Sequence, residues 1–178
     1  MKFILSFITI LGCGVCVAQK FTSEKNRVSF FSSTKMEDIS AWNEKSLSIF
    51  NLANGDIAIS IPVAQFEFDK SLMKEHFNEK YMESEKYPRA KFQGTITGFD
   101  PAKAGVQIVN VTGKLTLHGQ TNHVTVKGTL EKINDVINAE AKFIVKLDDY
   151  KITIPRLLWQ NIAEQVEITA SFTYKPLE

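Results

Sequence analysis

Near its C-terminus the chain reads Val166-Glu167-Ile168-Thr169-Ala170-Ser171-Phe172-Thr173-Tyr174-Lys175. Val166, Ile168, Ala170, Phe172 and Tyr174 share one parity, and the polar residues between them share the other. Successive side chains of an extended chain point to opposite faces, so this stretch is a strand with one buried and one wet face. Asn138 to Leu147 repeats the pattern, with Ala139, Ala141, Phe143, Val145 and Leu147 on the apolar side and Asn138, Glu140, Lys142 and Lys146 opposite. The same alternation runs through Ile57-Ile59-Ile61-Val63, Phe92-Gly94-Ile96 and Val124-Val126-Gly128-Leu130. Shorter candidates lie around Val28–Phe30 and Leu47–Ile49, and with Val106–Leu117 the reading gives eight strands. Within that last segment the apolar parity changes from Val106 and Ile108 to Val109, Val111, Leu115 and Leu117, which predicts a β-bulge near Val109.

Asn54-Gly55, Asp100-Pro101, Gly119-Gln120 and Asn134-Asp135 separate neighbouring strands, and such short connections make the neighbours antiparallel. One segment breaks the alternation. Leu72, Met73, His76, Phe77 and Tyr81 recur at helical spacing, which predicts one short helix over about 70–81, capped by Asp69 or Ser71. Tyr87-Pro88 ends it. The fold class is therefore all-β with one short helix, and the eight strands either stack as a sandwich or close as a barrel. The apolar faces carry small residues near mid-strand, Gly94, Gly113, Gly128, Ala139, Ala141 and Ala170. These favour a barrel, either as gaps that leave a lumen open or as bends that allow closure.

The 178 residues carry 21 Lys+Arg against 20 Asp+Glu, for a formal net charge of +1, with 44% apolar and 11% aromatic residues. Such a chain can bury a core, and it lacks the clustered basic excess that nucleic acid or a polybasic membrane patch requires. At the N-terminus, Met1-Lys2 precedes an apolar run from Phe3 to Val17 and then Ala18-Gln19-Lys20. This reads as a secretory signal peptide over 1–18, cleaved after Ala18, with the domain over 19–178 and a periplasmic or secreted destination. Ile10-Leu11-Gly12-Cys13 offers an alternative, a lipoprotein box with a lipidated Cys13. The run is too short for a membrane span, so no integral membrane segment is expected in the mature chain. Cleavage after Ala18 removes both cysteines, Cys13 and Cys16, and with them thiol catalysis, disulfides and cysteine-ligated metals.

Residues that carry chemistry are sparse. His76, His118 and His123 fit no zinc spacing, although His118 and His123 flank the Gly119-Gln120 turn and are placed to face one another there. Asp148-Asp149 are adjacent, so on a strand they point apart and make a solvated strand end better than an acid/base pair. No nucleophile elbow, phosphate loop or dinucleotide fingerprint occurs. The expectation is a non-enzyme with no catalytic residue, metal or cofactor. The helix face has two compatible readings, a plug of ordinary core or the mouth of an apolar cavity with Met73 adapting to a ligand and His76 giving one polar contact.

Leu72-Met73 with His76-Phe77, then Tyr81-Met82 and Glu85, Tyr87-Pro88 and Phe92, are similar to the helix-and-loop signature of the YceI-like polyisoprenoid-binding family. Val111 to Thr121 with His123-Val124 and Val126 resembles a second block of that family. Phe143, Val145, Leu147, Tyr150 and Ile152 with the strand from Val166 resemble a third. The resemblance spans nearly the whole chain after Ala18. It implies a lipocalin-like eight-stranded antiparallel barrel outside the cytoplasm, holding a polyprenyl or quinone-type lipid as ligand and partner, without metal or catalytic residue. The chain departs from the family pattern between Met36 and Lys45, where Trp42 is expected to close one mouth, and at Gln120, where an apolar residue is usual. An uncharged chain is held by apolar area removed from water, about 25 cal/mol per Å² before association costs. The candidate lining is Phe92, Val111, Leu115, Leu117, Val126, Ala141, Phe143, Val145, Ile168 and Phe172, capped by Met73, His76 and Phe77, with Tyr150 and Arg156 as headgroup candidates. Two alternatives stay open, a structural or stress-linked barrel packed shut without ligand, and an enzyme acting on a bound lipid through His76 or His118.

Overall fold

The computed structural model describes residues 20–154 and 163–177. Among these residues ten strands form one antiparallel sheet: β1 (Lys20–Ser33), β2 (Asp38–Asn43), β3 (Leu47–Asn51), β4 (Asp56–Pro62), β5 (Glu67–Phe68), β6 (Arg89–Thr97), β7 (Gln107–Leu117), β8 (Gln120–Ile133), β9 (Val136–Lys146) and β10 (Gln165–Pro176). The order β10-β9-β8-β7-β6-β4-β3-β1, closed by β1 pairing with β10, makes an eight-stranded antiparallel barrel. β1 is long enough to serve several neighbours. It pairs with β10 from Phe21 to Phe31, with β3 at its first three residues and with β2 over Val28–Ser33. β2 and the two-residue β5 thus extend the wall beyond the ring.

β2 lies within the segment that departs from the family pattern, and the register turns Ile39, Ala41 and Asn43 inward beside Ser32, Phe30 and Val28. Trp42 consequently points outward, under the Arg27 guanidinium at 5.2 Å, and closes no mouth. The bulge expected near Val109 is absent, because β7 pairs without interruption with both β6 and β8. Val106 and Ile108 are simply exposed apolar residues. The register shift is in β1, between Ser23 and Lys25 opposite β10. In β3 the apolar Leu47 and Ile49 also face outward, at 63% and 50% exposure, while Ser48 and Phe50 face in.

One end of the barrel is packed shut. Each ring strand contributes one residue to this layer: Phe21, Phe50, Ile57, Ile96, Val109, Leu130, Ile137 and Tyr174, none more than 7% exposed. The Tyr174 hydroxyl lies 2.7 Å from Ser48 Oγ, which also donates to the Ala58 carbonyl at 3.1 Å, and this explains the inward serine. Asn43, fully buried, donates to the Pro62 carbonyl and accepts from Lys45 N–H and Ser46 Oγ–H, tying the β2–β3 connection to the end of β4. A buried amide is retained only when its partners are present, and here it has three.

The other end is covered by a short helix. α1 (Ser71–His76) is α-helical, and Phe77–Tyr81 continues it as a π-helical turn. Its N-cap is Lys70, without a side-chain cap bond, so neither Asp69 nor Ser71 caps it. Leu72 is exposed, whereas Met73, His76, Phe77 and Tyr81 turn inward. The β7–β8 hairpin turns one residue earlier than expected, at His118-Gly119, whose φ values of 49° and 72° suit a two-residue loop.

Candidate functional site

Between the packed layer and the helix lies a cavity of about 310 Å³, within the range of small-molecule sites. It exists because the small inward residues divide into two sets. Gly94 and Gly113 face each other on β6 and β7, and the tip of the Phe92 ring fills the space beside them, 2.8 and 2.7 Å from where their Cβ atoms would stand. Gly128, Ala141 and Ala170 lie in one row across β8, β9 and β10, and the atoms nearest to where a Gly128 Cβ would stand belong to Glu140 and Ala141, not to a ring. Ala141 and Ala170 line the cavity. The first set therefore serves close approach of strands, as does Gly128, whose Cβ would stand 2.8 Å from the Glu140 carbonyl oxygen, while Ala141 and Ala170 leave space.

Every strand of the ring except β3 contributes to the lining. β6 places Phe92, β7 places Val111, Leu115 and Leu117, and β8 places Val126. β9 adds Ala141, Phe143 and Val145, and β10 adds Ile168 and Phe172. Met73, His76 and Phe77 reach in from the cap, so all thirteen residues of the expected set meet at one cavity. Sequence reading missed Phe30, Phe66 and Phe68, which cluster with Phe77. Phe77 stacks on Phe30 at 5.5 Å and meets Phe66 and Phe68 at tilted angles, 5.5 and 5.1 Å away. The alternation Phe66-x-Phe68 was the available signal, but the strand there is two residues long.

Among the described residues, the polar groups that reach the lining lie at the capped end: Ser32, Glu37, His76 and Tyr81. Ser32 Oγ accepts the Ala163 N–H, and Glu37 pairs with Lys70 at 3.0 Å. Burial pushes the Tyr81 phenol above its ordinary value, so it stays a neutral donor. The arrangement suits a ligand with a long apolar body and a polar group near the cap. The family model for the YceI-like domain matches residues 18–174. The chain belongs to the YceI-like family.

Solved structures share this fold. A polyisoprenoid binding domain from Saccharophagus degradans, implicated in plant cell wall breakdown, superposes with a TM-score of 0.76 at 16% identity, covering 88% of this chain and 98% of that one. Burkholderia cenocepacia BcnA gives 0.71 at 23% identity, covering 83% and 95%. A Campylobacter jejuni YCEI protein gives 0.58 at 11% identity, covering 99% and 92%. No curated protein matches the sequence significantly.

Other expected site residues of this YceI-like chain fall elsewhere. Tyr150 is buried in a 3₁₀ turn, Asp148–Tyr150, outside the lining, with its phenol pushed up chiefly by burial. Its carbonyl holds His118 Nδ1 at 3.1 Å. The His118 ring also packs edge-on against Tyr87, at 4.6 Å, while its buried Nε2 lies 3.7 Å from Glu83 Oε2 and makes no hydrogen bond among the described residues. His123 is exposed on β8, and the two histidines do not face each other. Arg156, the leader over 1–18, its Ala18 cleavage point and Cys13 lie outside the described residues. Among the described residues, no group of three or more His, Cys, Asp or Glu is placed to hold a metal, and no helix is long and apolar enough to cross a membrane.

Proposed function

We propose that this barrel binds an isoprenoid-type lipid, a polyprenyl or quinone-like chain, in its lumen outside the cytoplasm, and that it acts as a binding protein and not as an enzyme. The observation that carries the reading is the lumen itself, closed at one end by a packed layer and lined by apolar side chains up to a polar cap. Such a shape removes a long hydrocarbon from water while leaving its polar end near His76 and Tyr81. The polyisoprenoid-binding description of the Saccharophagus degradans structure supports the ligand class. The leader read over Met1–Ala18 supports an extracytoplasmic site. A core packed shut would leave no such cavity.

Ala141→Trp tests this. Ala141 lies in the small-residue row, where an indole has room to enter the lumen. If the ring displaces about 100 Å² of bound chain, about 2.5 kcal/mol of binding is lost, roughly sixtyfold in affinity. Titration of the folded variant with ubiquinone measures this loss, and unchanged affinity counts against luminal binding.

A further inference from the structure

Where the barrel wall is followed strand by strand, one seam is incomplete. The β8–β9 ladder runs from Gly128 opposite Ala141 to Ile133 opposite Val136 and no further. β8 continues back to Gln120 paired only with β7, and β9 continues to Lys146 paired only with β10. Residues 120–127 and 142–146 thus present unpaired backbone edges to each other, and no other described strand covers them. Beyond the end of the seam, Asn122 Nδ2 donates to the Asp149 carbonyl at 2.7 Å and His118 Nδ1 meets the Tyr150 carbonyl at 3.1 Å.

The two faces of this gap differ in chemistry. Inward, Val124 and Val126 of β8 and Phe143 and Val145 of β9 line the lumen. Outward, Lys127, Lys142 and Lys146 are exposed around Ile144, itself 54% exposed. Lys142 pairs with Glu167 at 2.8 Å, while Lys127 and Lys146 have no ion pair among the described residues. Glu140, Glu167, Asp148 and Asp149 are the acidic groups on or beside this stretch, so the face carries no basic excess.

We propose that the β8–β9 gap is a lateral portal through which an apolar lipid chain passes from a bilayer into the lumen. The proposal rests on the lipid-binding reading above. Entry beneath α1 requires parting Phe77 from Phe30, Phe66 and Phe68, whereas widening the gap breaks no strand hydrogen bond, because the ladder there is absent. Passage between two edges also lets the chain leave one apolar medium and enter another without crossing water.

Rates separate the portal from the binding reading. In a chain with Cys13→Ser and Cys16→Ser, Thr125→Cys and Ile144→Cys place thiols on the outer rims of the gap, and a short bis-maleimide bridges them. Vesicles of phosphatidylcholine and phosphatidylglycerol carrying ubiquinone are mixed with the bridged and unbridged protein, and protein-bound quinone is followed in time. The portal requires uptake about tenfold slower in the bridged protein, with the same amount bound after long incubation. Equal rates in bridged and unbridged protein overturn the portal while leaving luminal binding standing. No bound quinone in any form removes both.

Discussion

Gly113→Ala measures how tightly the wall beside the lumen is built. A Cβ at this position would stand 2.4 Å from the Gln93 carbonyl oxygen, 2.6 Å from Gly94 Cα and 2.7 Å from Phe92 Cζ. Non-bonded carbon contacts sit near about 3.5–4.0 Å, so each neighbour must retreat by about an ångström. The Phe92 ring can swing into the lumen. The other two atoms belong to the backbone of the facing strand, and they move only if the β6–β7 ladder parts. Overpacking costs about 1–3 kcal/mol, and backbone involvement puts this site at the upper end. Losing glycine's excess backbone freedom returns about 0.5–1 kcal/mol, for a net destabilisation of about 2 kcal/mol. At about 2–4 °C per kcal/mol for a chain of this size, Tm falls by about 4–8 °C. Thermal unfolding followed by circular dichroism reads this directly. Adding Phe92→Leu relieves the ring contact alone, so the double variant stays below Phe92→Leu itself. A Gly113→Ala protein melting with the wild type would refute the close approach of these strands.

Three further outcomes follow from the same contacts. Burial pushes the Tyr174 phenol far up, with the Ser48 hydroxyl opposing in part, so the folded chain keeps a proton that the unfolded chain releases above pH about 10. Stability therefore falls as pH rises from there, by up to about 1.4 kcal/mol per pH unit from this group, and Tyr174→Phe should flatten the slope in an alkaline series of denaturant titrations. Asn43→Ala leaves the Pro62 carbonyl, the Lys45 N–H and the Ser46 hydroxyl without their partner and should cost about 3 kcal/mol in urea unfolding, whereas a loss below about 1 kcal/mol would contradict its bridging role. Phe77→Ala removes one ring from the cap cluster; it should cost about 2 kcal/mol and shorten the residence of bound ubiquinone in a chase experiment, and an unchanged off-rate would show that the cap does not retain the chain.

Much of this architecture is legible in the sequence because inward and outward residues alternate cleanly in β6 to β10. That alternation alone puts Ala141, Phe143 and Val145 on one face of β9, and Ile168 and Phe172 on one face of β10. It misleads where an apolar residue has no interior to enter. Leu47 and Ile49 face out because Ser48 is required inside to meet Tyr174, and Ile108 faces out without any break in register. β2 escapes notice because its inward face mixes Ile39 and Ala41 with Asn43, whose polarity is met by hydrogen bonds that only the fold supplies. The glycines cannot be sorted by composition: that Phe92 fills the space beside Gly94 and Gly113 while Ala141 borders open lumen depends on strand order and stagger. The resemblance to the YceI-like family rests on blocks that the family model spans from 18 to 174. The incomplete β8–β9 seam leaves no mark in the sequence, since both strands alternate normally through it.

The central claim is that the cavity between the packed layer and the helix is a lipid site. Its most direct test is mass spectrometry of the organic extract from protein purified without detergent from the host envelope, with Ala141→Trp prepared alongside. Luminal binding requires a polyprenyl or quinone species at near one per protein, absent from the Ala141→Trp extract. An empty extract from folded wild-type protein that also fails to take up ubiquinone from vesicles would contradict it.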